Sequence, residues 1–586
     1  MKTQVLKHIS FFISIMIVLM AFAACEKDQD SETQSDDQSK TTTFTGVQED
    51  STDYVRDTAS ELNIVLNGSS ATTDAKGVTI NGSVVTITTA GTYKVSGSLT
   101  DGQLIVSATK DDVVRIILNG ADITCSNSAP IFVQKASKVL IMLSENTNNI
   151  LTDGASYILA NADEDEPNAA LFSKTNMTLF GTGSLTVKAN YKDGISSKDG
   201  LIIKSGTYTV TAIDDGIRGK DYLVINNGNF TIKSGGDGIK SDNTSDAQCG
   251  FVNITNGIFN INAVADGISA EKDIVITDGT FNITTSGNAN SISAKGLKGT
   301  NLVEINGGIF NITSTDDAVH SNTKVAINNG SLYLSSGDDG IHAASEISVS
   351  TTGEVIIAKS YEGIESASIT INSGKISITA TNDGFNATKG TVAGGTESND
   401  GSRLYIHGGI IYLSVSNGDG IDSNGNIEMT AGTVLVHGPQ SNPEVGVDYN
   451  GTFNISGGLL VVSAPGSNMT QGPSTSSSQY SLKLITTSTN AANTLFHLED
   501  AEGNDIITFK PARSYSSMII SSPALKNGST YKIYIGGTDT GSESGGLYTG
   551  GTYTPGTLYQ SFTVSSTVTS IGSSSSGGPG GPGGRP

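Results

Sequence analysis

The sequence predicts an all-β chain wound as a parallel β-helix, with about 22 residues per coil and a small β module near its C-terminus. Three observations predict it. First, the triplet Asp215-Gly216-Ile217 recurs in near copies, with its leading position at Asp193, Asp215, Asp237, Asp266, Lys295, Asp317, Asp339, Glu362, Asp383 and Asp419. Most intervals are 22 residues or within one of it, and the longer ones are 29, 29 and 36, which reads as a repeat with extra residues in loops. Second, another turn keeps the same phase, as in Ile225-Asn226-Asn227-Gly228-Asn229-Phe230 and Ile276-Thr277-Asp278-Gly279-Thr280-Phe281. Third, short β-branched runs fill the intervals, and beyond the first 25 residues no window shows a helical apolar period.

The two turns carry two apolar columns. Two residues after the turn glycine come Tyr208, Phe230, Phe259, Phe281, Phe310 and Leu332. Two residues after the leading position come Ile195, Ile217, Ile239, Ile268, Leu297, Val319, Ile341, Ile364, Phe385 and Ile421. Stacked coils place each column inward, and glycine supplies the corners that turn one sheet into the next.

In chain order, residues 1–25 read as a secretory signal. Lys2 and Lys7 precede an apolar run to Ala24, and the small pair Ala23-Ala24 stands before Cys25. This resembles a bacterial lipoprotein signal, which implies lipidation at Cys25 and an extracytoplasmic chain held at the outer membrane, on the cell surface. Residues 26–59 are acidic and poor in apolar residues, and read as a disordered linker. The coil repeat occupies 60–470. Residues 471–566 still alternate as strands and form a β-rich capping module over the open end of the coils. Residues 567–586 are a Gly/Ser/Pro-rich tail. Cys125 and Cys249 read as thiols without a mutual disulfide.

A formal charge of −23 argues against nucleic acid, whose phosphates need a basic surface. It also creates a local problem. Coils about 4.8 Å apart bring equivalent carboxylates face to face, and each such pair repels by about 3–4 kcal/mol at an effective dielectric near 20. Bound cations, neighbouring basic side chains or backbone N–H groups are the remedies. Asp before Gly is also a routine turn residue, so isolated members such as Asp193 and Asp266 read first as structural. The doubled sites Asp214-Asp215, Asp316-Asp317 and Asp338-Asp339 present hard oxygen ligands suited to Ca²⁺, and Asp193, Asp237, Asp383, Asp419 and Asp422 complete the candidate ligand set. Asp448 falls one coil beyond Asp422. Three residues after the leading position stand Arg218, Lys240, Lys298, His320 and His342, which read as counter-charges to the acids. Arg218 and Lys240 have a second reading, as the basic residues of a lyase. Zn²⁺ at the histidines is a softer alternative that lacks cysteine.

The segments Asn190-Tyr191-Lys192-Asp193-Gly194-Ile195, Ile213-Asp214-Asp215-Gly216-Ile217-Arg218 and Gly236-Asp237-Gly238-Ile239-Lys240 resemble the cellulose- and pectin-binding β-helix proteins of plant-fibre-degrading bacteria. That resemblance implies a right-handed, single-stranded parallel β-helix with bound calcium and an acidic polysaccharide ligand. The family is similar in turn to the family-nine pectate lyases, whose calcium pair Asp383-Gly384-Phe385 and Asp419-Gly420-Ile421-Asp422 resemble. Gly418 replaces the first acid of that family's doublet, and no Gly-Phe-Lys segment follows. The expectation is therefore a surface-anchored protein that binds plant or acidic polysaccharide through calcium, without turnover, with pectin or polygalacturonate as the first candidate and cellulose as the second. A calcium-dependent lyase and a structural adhesin are the alternatives. With no Trp in the chain, stacking on sugars falls to outward tyrosines such as Tyr333 or Tyr412.

Overall fold

The computed structural model describes residues 44–159, 161, 163–288, 291–390 and 398–572. The chain divides into two units, Met1–Phe44 and Thr45–Pro586. The signal, Cys25, most of the acidic segment and residues 573–586 of the tail lie outside the described residues. Among the described residues no helix is long and apolar enough to cross a membrane.

The second unit is all β, apart from two short 3₁₀ turns at Ser51–Tyr54 and Thr58–Ser60. Its strands form sheets of 31, 16 and 6 strands, and the two larger ones are built almost wholly from parallel pairs. Each turn of the chain contributes three strands. One coil is Ile217–Gly219, Tyr222–Ile225 and Asn229–Ser234; the next is Ile239–Ser241, Phe251–Ile254 and Ile258–Ala263. Equivalent residues pair directly: Ile217 with Ile239, Leu223 with Val252, Phe230 with Phe259. The triplet column runs in register from Ile195 to Val447 across successive coils.

Alternation makes the columns. The strand Asn229–Ser234 exposes Asn229, Thr231 and Lys233 and buries Phe230, Ile232 and Ser234, as a period of two requires. The rings of Phe230, Phe259, Phe281 and Phe310 stack with centroids 4.6–4.7 Å apart and planes within 3°, the spacing of neighbouring strands. The extra residues enter only at corners, in the segments 242–250, 286–296 and 388–402, so the pairing continues on either side of them.

The two glycine columns do different work. Gly257 of the second turn has φ +142°, outside the range a side chain tolerates, as expected of a corner. Gly238 of the triplet has no positive φ; a Cβ there would lie 2.6 Å from the Gly267 carbonyl oxygen and 2.4 Å from Ile261. At Gly238 close stacking of coils, rather than turn geometry, restricts the side chain, and Ala318 is the one larger residue at this triplet position.

Two segments differ from the sequence expectation. The linker expected over 26–59 is docked where it is described: Gln48 N donates to Tyr222 Oη at 2.8 Å, Glu49 meets Lys204 at 2.8 Å, Asp53 meets Lys138, and Tyr54 packs edge-on against Phe180. Its acids look like solvated charge until the lysines of distant coils are placed beside them. The C-terminal residues do two things. Ser481–Asn490, Tyr515–Ser521 and Val568–Ile571 extend the large sheet past Leu459–Ala464, so the tail expected from 567 begins with a paired strand. The six-stranded sheet shares an apolar cluster with Leu435 and Val461, outward residues of the last coils, so it covers their outer face. Both cysteines are free, Cys125 buried and Cys249 half-buried.

Truncating the stacked ring column is expected to be costly. Phe259→Ala should lose about 3–5 kcal/mol in urea unfolding, whereas Ile258→Ala, exposed on the same strand, should change stability by no more than about 0.5 kcal/mol.

Candidate functional site

Nine leading carboxylates stand at the corner that opens a strand of the 16-stranded sheet, and all are buried: Asp193, Asp215, Asp237, Asp266, Asp317, Asp339, Glu362, Asp383 and Asp419. In six of them one oxygen caps the backbone of the next coil. Asp215 Oδ1 accepts the N–H of Asp237 at 2.9 Å, Asp237 that of Asp266 at 2.9 Å, Asp266 that of Lys295 at 2.8 Å and Asp317 that of Asp339 at 3.0 Å. Asp383 caps Asp419 and Asp419 caps Val445 in the same way.

The other oxygen meets a charge, and the column divides into two parts by the sign of that charge. From Asp193 to Asp339 the partner is basic. Lys240 Nζ bridges Asp215 and Asp237 at 3.1 and 2.9 Å. Lys298 reaches Asp266 at 3.1 Å, and Lys295 joins Asp316 and Asp317 at 2.7 and 2.9 Å. His320 Nδ1 lies 2.7 Å from Asp317, and His342 Nδ1 3.3 Å from Asp339. Arg218 stands 3.7 Å from Asp193 and makes its closer contact, at 2.8 Å, with Asp242. The acids Asp215, Asp237, Asp316 and Asp317, expected as metal ligands, thus have basic side chains as counter-charges here. Asp214 and Asp338 are exposed beside them. Burial opposes ionisation of Asp317, but hydrogen bonds from His320 and Lys295 outweigh it and hold the carboxyl at about 2.

Beyond Asp339 the balance reverses. In the column three residues on, Glu365, Asn386, Asp422 and Asp448 pair in register, coil above coil. Burial raises Asp383 well above the usual carboxylate range, and the charges of Asp422, Glu362 and Asp419 raise it further. Burial, then Asp422, Asp448 and Glu444, push Asp419 up to about 8 against the N–H of Val445. Asp339 sits at about 7, chiefly through burial. Burial and its hydrogen bond with Glu362 raise Glu365 above the usual carboxylate range.

Here a cation fits. Oxygens of Asp419, Asp422 and Asp448 lie within 4.8 Å of one another, as do those of Asp339, Glu362 and Glu365. Between these groups Asn386 donates to Glu362 at 2.8 Å, while its own Oδ1 is buried without a hydrogen-bond partner. The donor set is all oxygen, which suits a hard divalent cation. Two further groups carry a basic neighbour already: Asp193, Asp214 and Asp215 beside Arg218 and Lys240, and Asp316, Asp317 and Asp338 beside Lys295. The group Asp317, His320 and His342 is held together by the Asp317–His320 contact. Glu365, Asn386 and Asp448 were not among the expected ligands; register with Asp422 is the signal that finds them.

Lys240 and Arg218 are poorly placed to act as bases. Burial disfavours the Lys240 ammonium, but Asp237 and Asp215 more than compensate and raise its pKa. Arg218 is likewise held charged by Asp242.

Residues 81–340 match the family described as carbohydrate-binding domain-containing protein. A carbohydrate-binding domain-containing protein of Acetivibrio thermocellus is 38% identical over 136 residues, which make up 23% of this chain and 48% of that protein. The chain therefore spans about half the length of that curated relative. A solved structure described as the polysaccharide lyase-like protein from C. thermocellum, gadolinium derivative, is 35% identical and covers 39% of this chain and 92% of its own, with a TM-score of 0.38. The family match ends before Asp383 and Asp419.

Removing Lys240 strands two buried acids. Lys240→Ala should cost about 2–3 kcal/mol in urea unfolding, less than a fully buried pair because the lysine is partly exposed. Asp215→Asn with Asp237→Asn in the same chain should restore most of that loss. The acid-only coils set a pH dependence of definite sign. Asp419 moves from 3.8 to about 8 on folding, so its stabilising contribution is complete below pH ~4 and is lost as pH rises toward 8. In chelator, the unfolding free energy should fall across that window, by up to about 1.4 kcal/mol per pH unit for each such group, and the melting temperature with it. Asp419→Asn should flatten the fall.

Proposed function

We propose that this chain is a polysaccharide-binding protein built as a right-handed, single-stranded parallel β-helix. It is exported, lipid-anchored through Cys25 and displayed at the cell surface. It holds acidic plant polysaccharide of the polygalacturonate kind through calcium at Asp383, Asp419, Asp422 and Asp448, with Asn386 as a neutral oxygen ligand. The observation that carries this reading is the reversal along the acid column, where other carboxylates exert the strongest charge effects on the buried Asp383 and Asp419. The likeness of residues 81–340 to carbohydrate-binding domains supports the class of ligand.

The reading accounts for how a chain of charge −23 takes an acidic partner. Carboxylates stacked this closely repel one another, and divalent charge placed among them removes that repulsion. Bound Ca²⁺ also has coordination sites to share with the carboxylates of a sugar polymer. The side chains themselves position the oxygens: Asp383 and Asp419 are fixed by the N–H groups they cap, and Asp448 by Gln471, which donates to it at 2.6 Å.

Affinity electrophoresis through gels containing polygalacturonate tests the proposal. Wild-type protein should be retarded with Ca²⁺ and released by chelator, and Asp419→Asn with Asp422→Asn should abolish the calcium-dependent part. Retardation unaffected by chelator would overturn it. The lyase reading is checked in the same mixture, since β-elimination leaves an unsaturated product that absorbs in the ultraviolet. Because Lys240 and Arg218 are held as cations, no steady rise in absorbance is expected.

A further inference from the structure

The acid column is not the only ordered surface. Seven consecutive strands, from Ser184–Ala189 to Ser331–Ser335, pair in parallel register and present three outward positions each. Those positions hold no Asp or Glu and only two lysines, Lys188 and Lys233, in a chain that carries 57 acidic residues. The rest are almost all Thr, Asn and Ser. Along the middle column Asn260, Asn282, Asn311 and Tyr333 stand one above the next. Asn282 Nδ2 donates to Asn260 Oδ1 at 3.0 Å and Asn311 Nδ2 to Asn282 Oδ1 at 2.9 Å.

That ladder fixes the rotamers of the amides without exhausting them, because each amide has two donors and two acceptor lone pairs. Holding the groups in place before a ligand arrives lowers the entropy cost of binding. Tyr333, 42% exposed, ends the ladder with a ring, and Ile258 and Ile309, each 49% exposed, add apolar patches in the flanking column. Beside that column runs a polar trough of about 350 Å³ over successive turns, lined by Asp278, Asn306, Gly308, Asn329, Gly330 and Ser331.

The same face changes character further along the stack. At Tyr412, Leu435, Leu459 and Val461 it becomes apolar, and there the six-stranded sheet packs on it. Tyr412 is taken up in that contact, with its hydroxyl 3.0 Å from Ser544, and so is not the free platform the sequence suggested. Where this face is covered by protein, the outward residues are apolar. Over the seven earlier strands they are mostly polar, uncharged apart from Lys188 and Lys233, and face solvent.

We propose that this face binds an uncharged, extended glycan chain by hydrogen bonds to the amide and hydroxyl columns and by stacking on Tyr333, without a cation. Charge selects the occupant. Two lysines are too few to draw a polyanion to so acidic a molecule, and the face lacks the charged or apolar centre a protein partner needs. A sugar polymer offers hydroxyls at every residue, against donors and acceptors that recur with each coil, about every 4.8 Å. The inference rests on the carbohydrate-binding reading but not on its calcium site.

Depletion onto insoluble cellulose and affinity electrophoresis in a soluble uncharged β-glucan, both in chelator, test it. The variants are Asn282→Asp, which is isosteric and puts a charge on the ladder, and Tyr333→Ala; both positions are outward, and melting curves check that each variant folds. Wild type should be retained, Asn282→Asp weakened about tenfold and Tyr333→Ala about fivefold. Failure of the wild type on both glycans, or wild-type binding by both face variants, would overturn the proposal. Failure of the calcium reading registers separately, as polygalacturonate retention that ignores chelator.

Discussion

The structure depends on a carboxylate that must satisfy two demands at once. At six corners one oxygen of the leading acid accepts the N–H that opens the next coil, as Asp237 does for Asp266. That bond needs the carboxylate buried and close to the next backbone, and the triplet glycine permits the approach. The remaining oxygen is then left at the margin of the sheet with a charge to be answered. Coil stacking and the electrostatics of the site are thus one constraint, because the residue that holds the coils in register is also the residue that carries the charge.

The lower coils answer with lysine, arginine and histidine, and the upper coils with still more acid. An oxygen trio such as Asp419, Asp422 and Asp448 is costly to assemble, because burial and the neighbouring acids act in the same direction on Asp419. A chain needing only a stable corner has the Lys240 arrangement available and uses it repeatedly. The departure from it over successive coils is what sets the upper part of the column apart.

Much of this was legible in the sequence. The period set the pairing, and the pairing placed Asp448 over Asp422 and His342 over His320 before any coordinates. The columns of Phe and Ile were legible for the same reason: side chains two residues apart on a strand share a face. What escaped was whatever depends on reach or on partners from outside the repeat. Lys295 occupies a leading position and bridges two acids of the next coil, and Arg218 prefers Asp242, which lies in an inserted corner. Residues 48–54 read as solvated charge because the lysines that hold them are distant in the chain. The role of the triplet glycine was legible only in part: its need for space came from the neighbouring coil, not from its own backbone angles.

The long corners at 242–250, 286–296 and 388–402 show that chain length and stack height are uncoupled. A closed barrel has to balance strand number, tilt and shear together, so an added segment disturbs the whole. This scaffold has no such closure condition. A corner can swell, shrink or acquire new chemistry while the coils above and below keep their contacts, so the edges can diversify while the flat faces stay as they are.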